Sequence, residues 1–445
     1  MERLDLTTPN FTDKNVQKLS ELFPKCVTES AEGKMIDFDA LKQELSSNIV
    51  EGNKERYQLT WPGKAESLVT ANTPINKTLR PNREESKDFD NTENLYIEGD
   101  NLEVLKLLQE TYLGKIKMIY IDPPYNTGKD FVYKDNFTQD KMKYDEESGN
   151  VDGEGGRLVS NPDSNGRYHS DWLSMMHPRL KLARNLLRDD GVIFISIDDN
   201  EVHNLRKICD EVFGMDAVEE YIWDVREPGT MPKTAKNTVR KEHEYIVCAF
   251  KNANRKKLTK YSSYKYLDAD WTNPDNDPRG AWMSANLSRG SGKGSGGSKS
   301  FIVTNPGGVD FDRDWSVTQE EFEEMLKDNR IYFADNGNGV PRKKIFKNEP
   351  VLSIQSSIYE GLKSSQSALV EIQALIPNIS FDYPKPIQLI NRLSQIGTRA
   401  NDTILDFFSG SATTAHAVMQ LNAEDGGNRK FIMVQIPEAT DEKTE

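Results

Sequence analysis

Five consecutive residues, Asp122-Pro123-Pro124-Tyr125-Asn126, follow directly on a strand-like run that ends at Ile121. In open α/β sheets ligands bind beyond the carboxyl ends of the strands, so this is where a site belongs. Two successive prolines fix the backbone, and the Pro123 carbonyl points in a set direction with no amide hydrogen beside it. Asp122 supplies a second acceptor and Tyr125 a flat apolar face. Two acceptors and a stacking ring suit a planar ring bearing an NH2 group, because both amine hydrogens can be bonded while the ring is sandwiched. The same residue types also make a rigid turn after a strand, which is the structural alternative.

A second segment, Asp406-Phe407-Phe408-Ser409-Gly410-Ser411-Ala412-Thr413-Thr414, follows a strand pattern and opens a helix. Small residues there let the backbone approach a ligand closely at a positively polarised helix N-terminus. It is not the G-x-G-x-x-G dinucleotide fingerprint, and such loops often serve only packing.

The elements that must hold these segments read as strand, helix, strand. Strands are expected at Leu95–Asp100, Ile116–Ile121, Gly191–Asp198, Tyr245–Phe250, Thr403–Phe408 and Lys430–Ile436. Helices are expected over Leu102–Leu108, Asp171–Leu187, Pro386–Ile396 and Thr413–Gln420. Buried strands alternating with helices mark a largely parallel sheet covered on both faces. Residues 1–90 read as a partly helical leader, with helical spacing at Val16, Leu19, Leu22 and Phe23 and again at Phe38, Leu41 and Leu45. Residues 91–250 form one half of the α/β domain and 379–445 the other. An irregular insert, 251–378, lies between them and contains a Gly/Ser run, Ser288–Ser300, with the composition of a mobile linker.

The chain has 445 residues, with Lys+Arg 57 against Asp+Glu 71 for a net charge of −14. Its apolar share of 36% and length allow a sizeable core and exclude a disordered chain. No apolar run approaches the roughly 18 residues a membrane helix needs, and the N-terminus lacks the apolar stretch of a secretory signal. Cys26, Cys209 and Cys248 are too scattered for a disulfide framework or a zinc site. These features place the chain in the cytoplasm, away from membranes. The acidic balance argues against a nucleic-acid partner only on average. Arg226 to Lys265 carries eleven Lys/Arg against three acids, Glu227, Glu242 and Glu244. That stretch reads either as a solvated basic face or as a phosphate-binding one.

Taken together the two segments resemble the amino-methylating DNA methyltransferases, whose DPPY tetrad is catalytic and whose small-residue loop binds S-adenosylmethionine (SAM). The tetrad precedes the loop by 406 − 122 = 284 residues, which matches the circularly permuted β-class order with a target-recognition module inserted between the halves. Further segments resemble type III restriction–modification methyltransferase (Mod) subunits. They are Trp61-Pro62-Gly63-Lys64, Thr78-Leu79-Arg80-Pro81, Tyr96 to Leu102, Asn126-Thr127-Gly128, Asp198-Asp199-Asn200-Glu201 and Phe381 to Pro386.

The resemblance implies a Rossmann-like SAM-dependent methyltransferase fold and transfer to the N6 amine of an adenine flipped out of double-stranded DNA. Asp122 and the Pro123 carbonyl would accept hydrogen bonds from the amine, localising its lone pair, while Pro124 fixes the turn and Tyr125 stacks on the base. For the cofactor it implies the loop residues Asp406, Phe407, Phe408, Ser409, Gly410, Ser411 and Thr413, with Lys385 at the methionine carboxylate, Asp100 at the adenine moiety and Gln435 at the ribose. Ala412 stands where glycine is commoner, and is expected to be tolerated if its φ is negative.

In this context Arg240, Lys241, Arg255, Lys256 and Lys257 are expected to meet phosphates, with Arg279 and Arg289 along a DNA groove. His177 and His203 read as surface or packing residues. His416 lies just beyond the cofactor loop. The Asp198-Asp199 pair lacks a third metal ligand, so no metal is expected. The alternatives are N4-cytosine methylation and a non-catalytic, truncated DNA-recognition subunit, the latter because Asp441, Glu442 and Glu445 look like the start of an unfinished helix. C5 methylation is disfavoured because no cysteine follows a proline. A homodimer and a separate ATP-dependent restriction subunit are the implied partners.

Overall fold

The computed structural model describes residues 15–19, 26–30, 33–36, 38 and 41, then 59–128, 131–133, 158–160, 167–225, 241–263, 270–290, 294–377 except 348, 350 and 354, and 381–437 except 382. Leu22, Phe23, Leu45, Arg240 and the acidic C-terminal residues fall outside these ranges.

In chain order the larger unit contains α1 (Lys64–Asn72), β1 (Leu95–Glu98), α2 (Asn101–Tyr112), β2 (Ile116–Ile121), α3 (Tyr168–Leu186), β3 (Leu187–Ile197), α4 (Val202–Phe213), β4 (Val218–Asp224) and β5 (His243–Phe250). The inserted unit contributes β6 (Trp282–Asn286), β7 (Ser300–Thr304), β8 (Asp310–Asp314), α5 (Gln319–Lys327), β9 (Ile331–Phe333) and β10 (Pro341–Phe346). The chain then returns through β11 (Ile358–Tyr359), α6 (Ser365–Leu375), α7 (Ile387–Gly397), β12 (Thr403–Asp406), α8 (Thr413–Asp425) and β13 (Lys430–Gln435).

Eight strands form one sheet in the order β11-β4-β5-β3-β2-β12-β13-β1. β1, β13, β12, β2 and β3 are mutually parallel, β5 runs antiparallel to both β3 and β4, and β11 is parallel to β4. Every residue of β2 is buried, as a central strand covered on both faces requires. Helices α1, α2 and α4 pack against α3, and α7 packs against α8. The approach of α7 to the sheet is close: a Cβ on Gly397 would stand 2.9 Å from the Met118 sulfur and 3.1 Å from the Phe194 ring. Any larger residue there would push the helix off the sheet.

The chain moves from β2 outward to β3 on one side and from β12 outward to β13 on the other. That makes the β2/β12 boundary a topological switch point, where two adjacent strand ends open a crevice. The circular permutation is visible in the same order, because β12 comes late in the chain yet sits beside β2 at the centre of the sheet.

Two expected boundaries move. The insert forms a compact unit only over residues 260–354. Thr259 already donates from its backbone to the Ile396 carbonyl at 2.8 Å, and β11 has rejoined the main sheet on β4. Nor does the leader stand apart as far as residue 90. The buried Trp61 indole donates to Ser174 Oγ at 3.0 Å and meets His177 edge-on, and α1 lies along α3. Earlier residues gather around a small cluster of Cys26, Ile36 and Leu41, with Val16 and Leu19 against it.

Within the insert, β6, β10 and β9 form an antiparallel sheet and β7 pairs with β8, over a core of Leu287, Val303, Trp315, Phe322 and Ile331. The Gly/Ser run is more anchored than its composition suggests. Ser295 gives both its backbone N–H and its hydroxyl to Asp314 Oδ1, at 2.9 and 3.0 Å. No helix among the described residues is long and apolar enough to cross a membrane.

Candidate active site

β2 ends at Ile121 and delivers Asp122 to Tyr125 onto the carboxyl edge of the sheet. Three contacts from distant elements fix this short loop. Trp172, fully buried on α3, donates its indole N–H to the Pro124 carbonyl at 2.8 Å. Asn126, buried and held at φ +60°, gives its amide to Glu201 Oε1 at 2.6 Å. The Tyr168 hydroxyl donates to the Asn126 carbonyl. Glu201, with no exposed surface, also meets His169 at 2.6 Å and Asn204 at 2.8 Å, so the Asp198–Glu201 segment acts here as a clamp on the tetrad.

The polar centre is a cluster of four side chains. Lys385 Nζ lies 3.0 Å from Asp122 Oδ2, 3.8 Å from Glu244 Oε2 and 4.8 Å from the centre of the Tyr125 ring. The Tyr125 hydroxyl donates to Glu244 Oε2 at 3.1 Å. Asp122 Oδ1 is buried and accepts no hydrogen bond from any described residue. Burial, reinforced by Asp122 and Glu244, holds the Tyr125 hydroxyl well above its usual pKa, so it stays a donor. Burial also raises the Glu244 carboxyl; Lys385 pulls it back and Asp122 pushes it up again. For Lys385, burial works against the charge, but Asp122 and Glu244 more than offset it and the ammonium is held above its ordinary value.

The small-residue loop begins at the end of β12, the neighbour of β2. Asp406 Oδ1 accepts the Phe408 N–H at 3.0 Å and Oδ2 accepts the Thr414 hydroxyl at 2.5 Å. Burial nevertheless pushes this carboxyl up to about 7 against those two bonds. Asn101 donates to the Phe407 carbonyl at 2.8 Å and receives Arg179 Nε at 2.7 Å. Arg179 is completely buried on α3 and ties the loop to the helix layer. Gly410 has φ +48°, and a Cβ on it would come within 3.2 Å of the Phe381 ring. Ser411 and Thr413 share a hydroxyl hydrogen bond at 2.9 Å.

Several expected residues take other places. Lys385, expected at a cofactor carboxylate, is paired with the tetrad aspartate. Gln435 accepts the Gly410 N–H through its side-chain oxygen at 2.9 Å, so it braces the loop from β13. Asp100 caps α2 by accepting the Glu103 N–H at 3.0 Å, and its other carboxylate oxygen stands 3.9 Å from Arg179. Ala412 contradicts the condition set for it: its φ is +58°, a left-handed conformation natural to glycine.

The basic residues are largely matched. Lys241 pairs with Asp199 at 2.6 Å, Arg255 with Asp189 at 3.9 Å and Lys256 with Glu219, while Lys257 is exposed. The local charge count missed these acids because they come from other parts of the chain. Arg279 is not a free guanidinium. It grips Asp277 through two nitrogens at 2.9 and 2.8 Å, reaches Asp328 at 3.1 Å and lies over Phe346, which makes it part of the insert's scaffold. Arg289 is exposed three residues beyond the end of β6, with its backbone N–H on the Asp314 carbonyl. His203 is exposed, whereas His177 is a buried packing residue.

Sequence reading missed Glu244 and Arg179, and named Glu201 and Asn101 only within segments of resemblance, without a role. Glu244 counted only as an acid diluting a basic stretch.

A central sheet with a switch point, an Asp-Pro-Pro-Tyr tetrad on one strand end and a small-residue loop on the next is the arrangement of a SAM-dependent methyltransferase fold. Residues 116–441 match the DNA methylase family profile, and the chain belongs to that family. It is 34% identical over 420 residues to the type III restriction-modification enzyme StyLTI Mod subunit of Salmonella typhimurium, covering 92% of this chain and 62% of the relative. It is 32% identical over 465 residues to the EcoPI Mod subunit of Escherichia phage P1, covering 96% and 70%. A third Mod subunit, from Escherichia coli, is 30% identical over 478 residues, covering 97% and 72%. The chain therefore spans roughly two thirds of the length of these relatives.

Proposed function

We propose that the chain transfers a methyl group from SAM to the exocyclic N6 amine of a flipped adenine in double-stranded DNA, as the modification subunit of a type III restriction–modification system. The observation that carries this is Asp122 Oδ1, a buried acceptor without a partner among the described residues, set beside the Tyr125 ring at the switch point. A buried acceptor left unpaired costs about 1–3 kcal/mol, and an incoming amine hydrogen would satisfy it.

Asp122 and the Pro123 carbonyl accept the two amine hydrogens and concentrate the lone pair on nitrogen. Tyr125 presents its face to the base. Asp122 and Glu244 set two carboxyl groups beside the single ammonium of Lys385, an arrangement that suits a cationic methyl donor. The residues present fit the cofactor: the loop Asp406–Thr413 offers a glycine cradle at Gly410 and hydroxyls at Ser409, Ser411 and Thr413, and Asp100 follows β1, two strands from β12 along the same sheet edge, beyond β13. SAM supplies an electrophilic methyl on sulfur. Asn101 and Arg179 hold the loop that receives it.

DNA contact is assigned to Lys241, Arg255, Lys256 and Lys257. Their present partners are exposed surface pairs of little strength, which phosphates could displace. Arg240 and, within the insert, Arg289 are proposed as further phosphate contacts; Arg279 is not. The relatives are named Mod subunits of type III restriction–modification enzymes, which supports a restriction subunit as partner. That this partner is ATP-dependent, that the chain works as a homodimer and that it acts in the cytoplasm are part of the same proposal.

The test is to incubate the purified chain with SAM and unmethylated double-stranded DNA and analyse the nucleosides by mass spectrometry. N6-methyladenine is the expected product. N4-methylcytosine would move the target to the other amino base, and DNA binding without product would make the chain a recognition subunit.

A further inference from the structure

We infer that Glu244 is a positioning residue for methyl transfer, holding Tyr125 by its hydroxyl and drawing Lys385 to one side of Asp122 so that Oδ1 stays open to the target amine. The inference rests on the amino-methyltransferase reading above and deepens it. Glu244 belongs to neither of the two segments that carry that reading. It sits at the start of β5, opposite Trp223 of β4, and β5 is the antiparallel strand next to β3.

Two independent contacts converge on one oxygen. Glu244 Oε2 accepts the Tyr125 hydroxyl at 3.1 Å and faces Lys385 Nζ at 3.8 Å. An aromatic ring anchored at its hydroxyl can no longer swing about its Cα–Cβ bond, so the place where a base must stack is set before the base arrives. That is preorganisation, and it lowers the ordering cost of binding the flipped base.

The second effect is electrostatic. A lone Lys385 would form a full ion pair with Asp122 across both carboxylate oxygens, competing with the amine. With a second carboxylate beyond it, the ammonium is shared, approaching only Oδ2 at 3.0 Å, and Oδ1 is left without a partner among the described residues. Burying two carboxylates beside one ammonium is unfavourable for stability, since the uncompensated charge is poorly solvated. Such an arrangement is expected where function requires it. The groups facing the cluster are Asp122, Lys385 and Tyr125, with Asp198 acting from further away.

The experiment compares wild type, Glu244→Ala, Glu244→Gln and Asp122→Ala of the full chain, measuring steady-state transfer of labelled methyl from SAM to unmethylated duplex DNA. Glutamine keeps an oxygen for the Tyr125 hydroxyl but not the charge. Glu244→Ala is expected to lower kcat by about 10²-fold, the scale of a small misplacement of reacting groups, with KM for SAM within about threefold of wild type. Glu244→Gln is expected to recover at least about tenfold of that loss through the retained hydrogen bond. Adding Tyr125→Phe to Glu244→Ala should cost less than adding it to wild type, because both remove one bond. A kcat for Glu244→Ala near wild type overturns the inference, as does a loss shared equally by Ala and Gln together with lowered thermal stability. Wild-type transfer no greater than that of Asp122→Ala would instead overturn the reading on which it rests.

Discussion

Lys385 Nζ stands 3.0 Å from Asp122 Oδ2, joining the loop before α7 to the end of β2 across 263 residues of sequence (385 − 122). The lysine is almost fully buried, and its second carboxylate neighbour is Glu244. Replacing Lys385 by methionine would leave two partly buried carboxyl groups facing each other. Glu244, already raised by burial and pulled back by Lys385, would rise further. The acid limb of the kcat–pH profile should therefore move to higher pH, with kcat reduced about tenfold or more at neutral pH. An unmoved acid limb would mean that the ion pair does not govern the site.

Ala412 offers a gain instead of a loss. Its φ of +58° places an L-residue with a Cβ in the left-handed region, at a cost of about 1–2 kcal/mol. Glycine relieves that strain but makes the unfolded chain freer, so Ala412→Gly should stabilise the protein by a net ~0.5–1 kcal/mol. Urea unfolding, read at the midpoint with an unchanged slope, checks it. Destabilisation would show that the loop relaxes around alanine at no cost.

Most of the sheet and both candidate segments were legible in the sequence for one physical reason: strands buried on both faces are apolar throughout, and each segment directly follows one. Glu244 was not legible, because its partners lie 119 and 141 residues away and meet it only through an antiparallel strand (244 − 125 and 385 − 244). The insert's end was misplaced because β11 is only two residues long, too short to leave a pattern. The pairing of the basic stretch was not legible because charge counting along a chain cannot see the acids that fold against it, such as Asp199 on Lys241 and Glu219 on Lys256. Arg279, outside that stretch, has its fork already filled by Asp277.

The cofactor loop should fail at its anchor. Asn101→Ala removes the bond to the Phe407 carbonyl and the acceptor of Arg179 Nε in a fully buried site, while the Arg179 bond to the Met175 carbonyl and its approach to Asp100 remain. Losing those two buried bonds costs about 1–3 kcal/mol. The variant should unfold at lower urea and bind SAM about tenfold more weakly by calorimetry, although Asn101 itself lies behind the loop. Unchanged SAM affinity would detach the loop's geometry from this relay.

His177 predicts a pH dependence of stability. Buried between α1 and α3 with Ser67 Oγ 2.8 Å from Nδ1, it is held down to about 4 by burial, with Lys181 adding to the effect. Its folded pKa lies below its unfolded one, near 6.5. The unfolded chain therefore binds more protons between those values, and stability rises with pH across that window. The contribution is complete above about pH 6.5 and is lost as pH falls toward 4, by ~2–3 kcal/mol in all. His177→Gln, which can still bond Ser67, should flatten the slope of unfolding free energy between pH 4 and 6.5. A slope equal to wild type would place the protonation elsewhere.

The central claim is that Asp122 receives the target amine and does not build the cofactor site. Asp122→Ala should bind SAM within about threefold of wild type by calorimetry, yet transfer methyl to adenine in unmethylated duplex DNA at least about 10³-fold more slowly. Transfer near the wild-type rate, or loss of SAM binding in step with activity, would contradict the account.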